Sequence, residues 1–171
     1  MVTPTPEKPL EVVEVDVVFL DGTIRLTVID RLTRFAVSYP LAAKTGEQVR
    51  EALLLFLATV GTPRTLVLDQ GREFRNFMVL GFLEEFHIRV HRTTPGHPTS
   101  HGIIERLHSI LLDHLHLLRI GRGLNGDEAW SQALLSYNSS VHSATGRTPS
   151  ELMRSWQQLD PPVSRSGITF S

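Results

Sequence analysis

Val12-Val13-Glu14-Val15-Asp16-Val17-Val18-Phe19-Leu20, then Asp21-Gly22, then Thr23-Ile24-Arg25-Leu26-Thr27-Val28-Ile29-Asp30, is the stretch whose reading decides the fold. β-Branched residues dominate both runs, Asp21-Gly22 between them signals a tight turn, and Phe35 to Tyr39 extends the pattern, so a meander of three strands is expected. Period-two alternation puts Asp16 on the opposite face from Val15 and Val17. A lone carboxylate in such a strand is costly unless it is paired or bound to metal.

Outward from this hairpin the periodicity turns helical. Thr45 to Val60 reads as a helix with Thr45 or Gly46 at the cap, Glu47 early and Gly61 at the close. Its Leu53-Leu54-Leu55-Phe56-Leu57 run is apolar nearly all round, which leaves a face for another subunit beyond the core. Arg64 to Asp69 is a short apolar strand ending in a carboxylate, followed by a turn at Gly71. Phe74 to Phe86 reads as a helix and Ile88 to Arg92 as a strand. A loop from Thr93 to Ser100 then leads into a long helix from about Gly102 to Ile120. Two more helices are expected, Asp127 to Val141 and Thr148 to Met153, the last with a capping box of Thr148, Pro149 and Glu151. Three antiparallel strands, a helix, then alternating strands and helices imply a mixed sheet with helices on both faces.

With 171 residues and 41% hydrophobic content, the chain suits one domain with a sizeable core. Residues 1–10, with Pro4, Pro6 and Pro9, read as a linker, 11–155 as the core and 156–171 as a polar tail or linker containing Pro161-Pro162. A net charge of −1 gives no global basic field, so any DNA affinity must be local. Lys8 and Lys44 are the only lysines, and arginine, which supplies the remaining basic charge, suits bidentate phosphate contacts. Cysteine is absent, excluding disulfides and thiolate metal sites and fitting a reducing intracellular setting. Neither a membrane-spanning run nor the apolar region of a signal peptide is present in the sequence.

Asp69 closes Leu66-Val67-Leu68 at a strand end, a usual place for functional groups in α/β sheets. Glu105 sits in the first turn of the long helix, where the macrodipole favours a carboxylate whatever its task. Singly, each carboxylate has a bland reading: Asp16 as an edge-strand charge, Asp69 as a turn or cap residue, Glu105 as a dipole partner. Their spacing is more specific, with 52 residues between Asp16 and Asp69 and 35 between Asp69 and Glu105.

With those intervals, the sequence resembles the integrase catalytic cores of retroviruses and gypsy-type LTR retrotransposons, whose signature is two aspartates and a glutamate. The motifs carrying the resemblance are Val28-Ile29-Asp30-Arg31-Leu32-Thr33-Arg34-Phe35, Leu68-Asp69-Gln70-Gly71-Arg72-Glu73-Phe74, His97-Pro98-Thr99-Ser100-His101-Gly102-Ile103-Ile104-Glu105-Arg106 and Thr145-Gly146-Arg147-Thr148-Pro149-Ser150-Glu151-Leu152. The resemblance covers roughly residues 11 to 154. The element order likewise matches a ribonuclease H-like fold, a mixed five-stranded sheet flanked by helices.

The resemblance implies a DDE-type polynucleotidyl transferase and endonuclease, performing 3′-end processing and strand transfer of element DNA into target DNA. Two Mg²⁺ or Mn²⁺ ions about 4 Å apart would be clamped by Asp16, Asp69 and Glu105, with Asp16 bridging. Hard oxygen ligands suit those ions and disfavour structural zinc. The partners implied are DNA, a second copy of the chain through the apolar helices 47–60 and 127–141 (Trp130 and Leu134-Leu135 included), and a higher oligomer at full length. The setting implied is nuclear, or a virus-like particle, without a membrane.

Thr93 to Ser100 corresponds to the family's mobile active-site loop, which makes Gly96, His97 and His101 candidate DNA contacts. Arg106, His108 and Ser109 on the long helix join them. That helix puts Glu105, His108, Ser109, Leu112 and His116 on one face, with Ile104, Leu107, Leu111, Leu115 and Leu118 as the core stripe. Retroviral relatives carry Asn and Lys on the catalytic face. Here His108, Ser109 and Leu112 follow Glu105, which weakens the electrostatic grip and leaves Arg106, Arg119 and loop arginines to supply it. His108 could donate a hydrogen bond or be a solvated surface residue. His108, His114 and His116 do not share a face at zinc-ligand spacing.

Among the other carboxylates, Asp30 is expected to be structural, with Arg31 and Arg34 as ion-pair candidates, Asp21 a turn residue, and Glu73 not a metal ligand. Two rival readings stand beside the enzyme core: a host-captured, non-catalytic dimerisation module, and a ribonuclease H acting on hybrids.

Overall fold

The computed structural model describes residues 5–94 and 102–159. Strands β1 (Val12–Leu20), β2 (Thr23–Asp30) and β3 (Ala36–Leu41) form the expected meander. Asp21 and Gly22 take φ of 52° and 77° between β1 and β2, the left-handed pair that matches the twist of a two-residue hairpin. Helix α1 (Gly46–Thr59) begins where Thr45 Oγ1 accepts the Gln48 amide. Then come β4 (Thr65–Leu68), α2 (Phe77–Glu85), β5 (Arg89–Arg92), α3 (Gly102–Arg122), α4 (Gly126–Asn138) and α5 (Pro149–Leu159).

The sheet is five-stranded, in the order β3-β2-β1-β4-β5, with β4 and β5 joining in parallel. One face, through Val13, Val15, Val28, Leu66 and Leu68, packs on Val49, Leu53 and Phe56 of α1 and Phe82 of α2. The other, through Ile29 and Ala36, packs on Ile104, Leu107, Leu111 and Leu115 of α3 and Trp130 of α4. Burying each large apolar side chain contributes about 1.5–3 kcal/mol, so these two layers hold the sheet from both sides.

The residues expected to form one helix from Phe74 divide instead. Arg72–Phe74 is a 3₁₀ turn, and α2 starts only at Phe77, with the Asn76 side chain accepting the Met78 amide at 2.8 Å. An asparagine in mid-pattern therefore acts as a cap and restarts the helix. Gly46 packs so closely on Asn76 that a Cβ there would collide with its side chain, which ties the starts of α1 and α2 together. Helix α4 ends at Asn138, short of Val141. The Asn138 side chain accepts the Ala36 amide (3.0 Å) and donates to its carbonyl (2.8 Å), latching α4 to β3. Helix α5 runs past Met153 to Leu159, and its capping box forms as expected: Glu151 N–H donates to Thr148 Oγ1 at 3.2 Å and Thr148 N–H to Glu151 at 3.4 Å.

Trp130 is fully buried, with the Arg25 guanidinium 4.9 Å from its ring centroid, so it belongs to the core and not to a subunit interface. Arg25, itself 4% exposed, is charge-compensated by Asp127 at 2.6 Å. Leu54, Leu55 and Leu135 are exposed. No helix among the described residues is long and apolar enough to cross a membrane.

Candidate active site

The parallel pairing of β1 with β4 sets Val12 beside Thr65, Val13 beside Leu66 and Glu14 beside Val67. Carried two residues further, that register brings Asp16 alongside Asp69. Both strands bury Val15 and Leu68 towards α1 and α2, so Asp16 turns to the opposite face, towards α3.

Asp16 senses the neighbouring Asp69. The Asp16 pKa is pushed up to about 7, first by burial and then by the negative charge of Asp69, and a side-chain hydrogen bond with Asp69 acts in the same direction. The Val17 amide and the Lys44 charge oppose the rise without cancelling it. One oxygen of Asp69 is fixed by the Gly71 amide at 2.7 Å. Gly71 is required there for a further reason, since a Cβ would stand 2.7 Å from Oε1 of Glu73. Glu73 is buried and faces Lys44 at 3.5 Å.

Glu105 lies in the first turn of α3 with an exposed side chain. Among the described residues no three His, Cys, Asp or Glu side chains converge as a metal-holding group. The structure thus unites the two aspartates and leaves Glu105 outside the cluster. One turn further along α3, His108 is only 14% exposed, so it is not a solvated surface residue. Its Nε2 lies 2.6 Å from Thr27 Oγ1 and its Nδ1 4.0 Å from Asp16 Oδ2. Arg106 and Ser109 are exposed, and Arg106 Nε donates to the Gly102 carbonyl at 3.3 Å. Gly96, His97 and His101 lie outside the described residues.

Several expectations about neighbouring charges change. Asp30 is structural, but its partners are amides and a hydroxyl: Leu10 N–H at 2.7 Å, Thr33 N–H and Thr33 Oγ1 each at 2.8 Å. Of the two arginines expected on it, Arg31 pairs instead with Glu14 at 3.2 Å, and among the described residues Arg34 makes no ion pair with it. Glu14 is fully buried, and burial raises its pKa against the opposing charge of Arg31. Asp21 is a turn residue that also pairs with Arg119.

Three contributors escaped the sequence reading. Thr27 looks like an ordinary strand threonine, yet it faces Asp16 in the β1–β2 register and anchors His108. Arg92, at the end of β5, donates to the Asp69 carbonyl at 3.1 Å and the Phe74 carbonyl at 2.8 Å, bracing the turn that carries Asp69. An arginine ending a short strand was the available signal. Lys44 had none, because its approach to Glu73 depends on how α1 packs.

A model of the integrase core domain matches residues 6–98. The retrovirus-related Pol polyprotein of the Drosophila melanogaster transposon gypsy is 29% identical over 153 residues, covering 88% of this chain and 15% of the polyprotein. The corresponding polyprotein of the opus transposon, also from Drosophila melanogaster, is 30% identical over 151 residues, again covering 88% of this chain and 15% of its own length. The chain therefore spans about 15% of these relatives. Among solved structures, the catalytic core of BIV integrase superposes with a TM-score of 0.75 at 23% identity, covering 87% of this chain and 97% of that one. The HTLV-2 integrase catalytic core in complex with magnesium, in its trimeric form, gives 0.76 at 18% identity, covering 87% and 99%. These likenesses establish the ribonuclease H-like fold, and with a family model that matches more than half of its length, the chain belongs to the integrase core domain family.

Proposed function

We propose that the chain is an integrase catalytic core that performs metal-dependent phosphoryl transfer on DNA, with Asp16, Asp69 and Glu105 as its working carboxylates. The observation that carries this reading is Asp16, midway along β1, lying beside Asp69 just past the end of β4, where the Asp69 charge raises the cost of charging Asp16. Two hard oxygen ligands in mutual repulsion, with Lys44 too weak to compensate them, suit Mg²⁺ or Mn²⁺. When bound, two such ions would activate the attacking water or 3′-hydroxyl and stabilise the leaving 3′-oxygen.

The protein's own residues divide the remaining work. The Gly71 amide holds one oxygen of Asp69 and leaves the other for a ligand, while Arg92 keeps the turn in place. Glu105 would supply the third carboxylate from α3, one turn before His108, which already faces Asp16. His108, Ser109 and Arg106 line the approach as polar contacts for DNA, with Gly96, His97 and His101 preceding the same helix. Processing of element ends and their transfer into target DNA would use this centre in turn, within the nucleus. The exposed leucines Leu54, Leu55 and Leu135 favour a homodimer.

A second reading, a dimerising module without catalysis, draws on the position of Glu105 outside the aspartate cluster. Calorimetric titration with Mn²⁺ separates the two. The catalytic reading expects saturable binding by the native chain and its loss in Asp69→Asn, whereas no binding by the native chain favours the module.

A further inference from the structure

A cleft of about 360 Å³ lies beside the start of α3, lined among others by Arg31, Arg34, Ile103 and Thr145. None of these is a working carboxylate, and Ile103 is two residues from Glu105. Arg34 reaches the cleft from the turn between β2 and β3. Its backbone sits at φ 65°, a left-handed conformation that a side chain adopts only where its surroundings impose it. The surroundings here are specific: Arg34 N–H donates to the Asp30 carbonyl, Asp30 N–H to the Phe35 carbonyl, both at 2.9 Å, and the Asp30 carboxylate clasps Thr33. The turn is thereby closed on itself and fixes the backbone from which Arg34 projects.

Positive charge is in excess at this place. Burial disfavours the charge of Arg34, nearby Tyr137 and Glu14 favour it, and Arg106 and Arg31 disfavour it less strongly than these. Glu14, the carboxylate in the group, is already engaged by Arg31 Nε. Among the described residues the Arg34 guanidinium has neither a hydrogen bond nor an ion pair. A half-buried guanidinium of this kind fits an oxyanion bidentately. Its neighbour Arg31, held by Glu14 through Nε alone, adds a second guanidinium to the same cleft, while the Thr145 hydroxyl donates within its own turn to the Arg147 carbonyl at 3.1 Å.

We propose that Arg34, with Arg31, forms an oxyanion site that takes a backbone phosphate of DNA a short way along the strand from the reacting phosphate. The site rests on the reading of the chain as a DNA enzyme. It assigns the grip expected of lysines on α3 to a rigid turn at the opposite side of the helix start. An open cleft at the start of α3 favours a passing strand over a small free anion, because a strand held at the carboxylates continues along the protein surface.

The test is binding of a short single-stranded oligonucleotide to the 171-residue chain in EDTA. It is followed by NMR at the arginine Nε–Hε signals and by fluorescence anisotropy at several salt concentrations. The Arg34 signal is expected to move on titration. Arg34→Ala should weaken binding about 3- to 10-fold and reduce the salt slope by roughly one counterion, with partial recovery in Arg34→Lys. Arg154→Ala, an exposed arginine on α5, is the control for charge alone. An Arg34 signal that stays still, equal losses in Arg34→Ala and Arg154→Ala, or a response to inorganic phosphate but not to the oligonucleotide would each overturn the site. Because no divalent metal is present, such a failure leaves the carboxylate chemistry untouched, whereas loss of metal-dependent activity with the Arg34 response intact would strike the catalytic reading alone.

Discussion

Asp16 and Asp69 stand side by side because β1 and β4 pair in parallel with a constant offset that sets Glu14 beside Val67 two residues earlier. The arrangement costs stability in the metal-free protein. The Asp16 pKa, near 3.8 in the unfolded chain, rises to about 7 on folding, so the proton-linked stability is full below about pH 4 and is lost as pH rises through 7. Asp16→Asn removes the titration. In metal-free buffer it should raise the melting temperature by several degrees at pH 8 and by little at pH 4.5, measured by differential scanning fluorimetry. A gain independent of pH would contradict the origin assigned to it.

Thr27 supports the site from the next strand. Thr27→Val keeps the shape and removes the hydroxyl that holds His108 Nε2 at 2.6 Å. A loss of about 1–2 kcal/mol is expected from the urea midpoint. No change would mean that the contact holds nothing in place.

The Asn138 latch makes a purely structural prediction. Asn138→Ala leaves the amide and carbonyl of Ala36 unpaired in a buried setting, which should cost about 2–4 kcal/mol in urea unfolding. Asn138→Asp at neutral pH should do no better, because a carboxylate cannot donate to the carbonyl.

Leu55 and Leu135 are 53% and 67% exposed, so charging them leaves the core intact. If the chain dimerises through these helices, Leu55→Glu or Leu135→Glu should shift the sedimentation profile towards monomer at unchanged melting temperature. A native chain that is monomeric at high micromolar concentration would remove the basis for that interface.

Much of this was legible in the residues. The β-branched hairpin, the α3 core stripe and the Thr148–Glu151 capping box depend on neighbours within a few positions, and each formed where its pattern lay. Asp16 and Asp69 were identifiable because a carboxylate in an apolar strand is conspicuous. What escaped depends on packing between distant segments. Arg31 chose Glu14 over Asp30 because the Asp30 carboxylate was already satisfied by nearby amides, and Trp130 went inward because Arg25 and Asp127 supply a charged cover for it. Asn76 was read as helix interior because its capping role appears only once α1 fixes where α2 begins.

The central claim is that Asp16, Asp69 and Glu105 work together on DNA. Its most direct measurement is strand-transfer reversal on a branched DNA substrate in Mn²⁺, comparing the native chain with Asp69→Asn and Glu105→Gln. The account predicts resolved product from the native chain and none from either variant, whereas equal product from all three would contradict it.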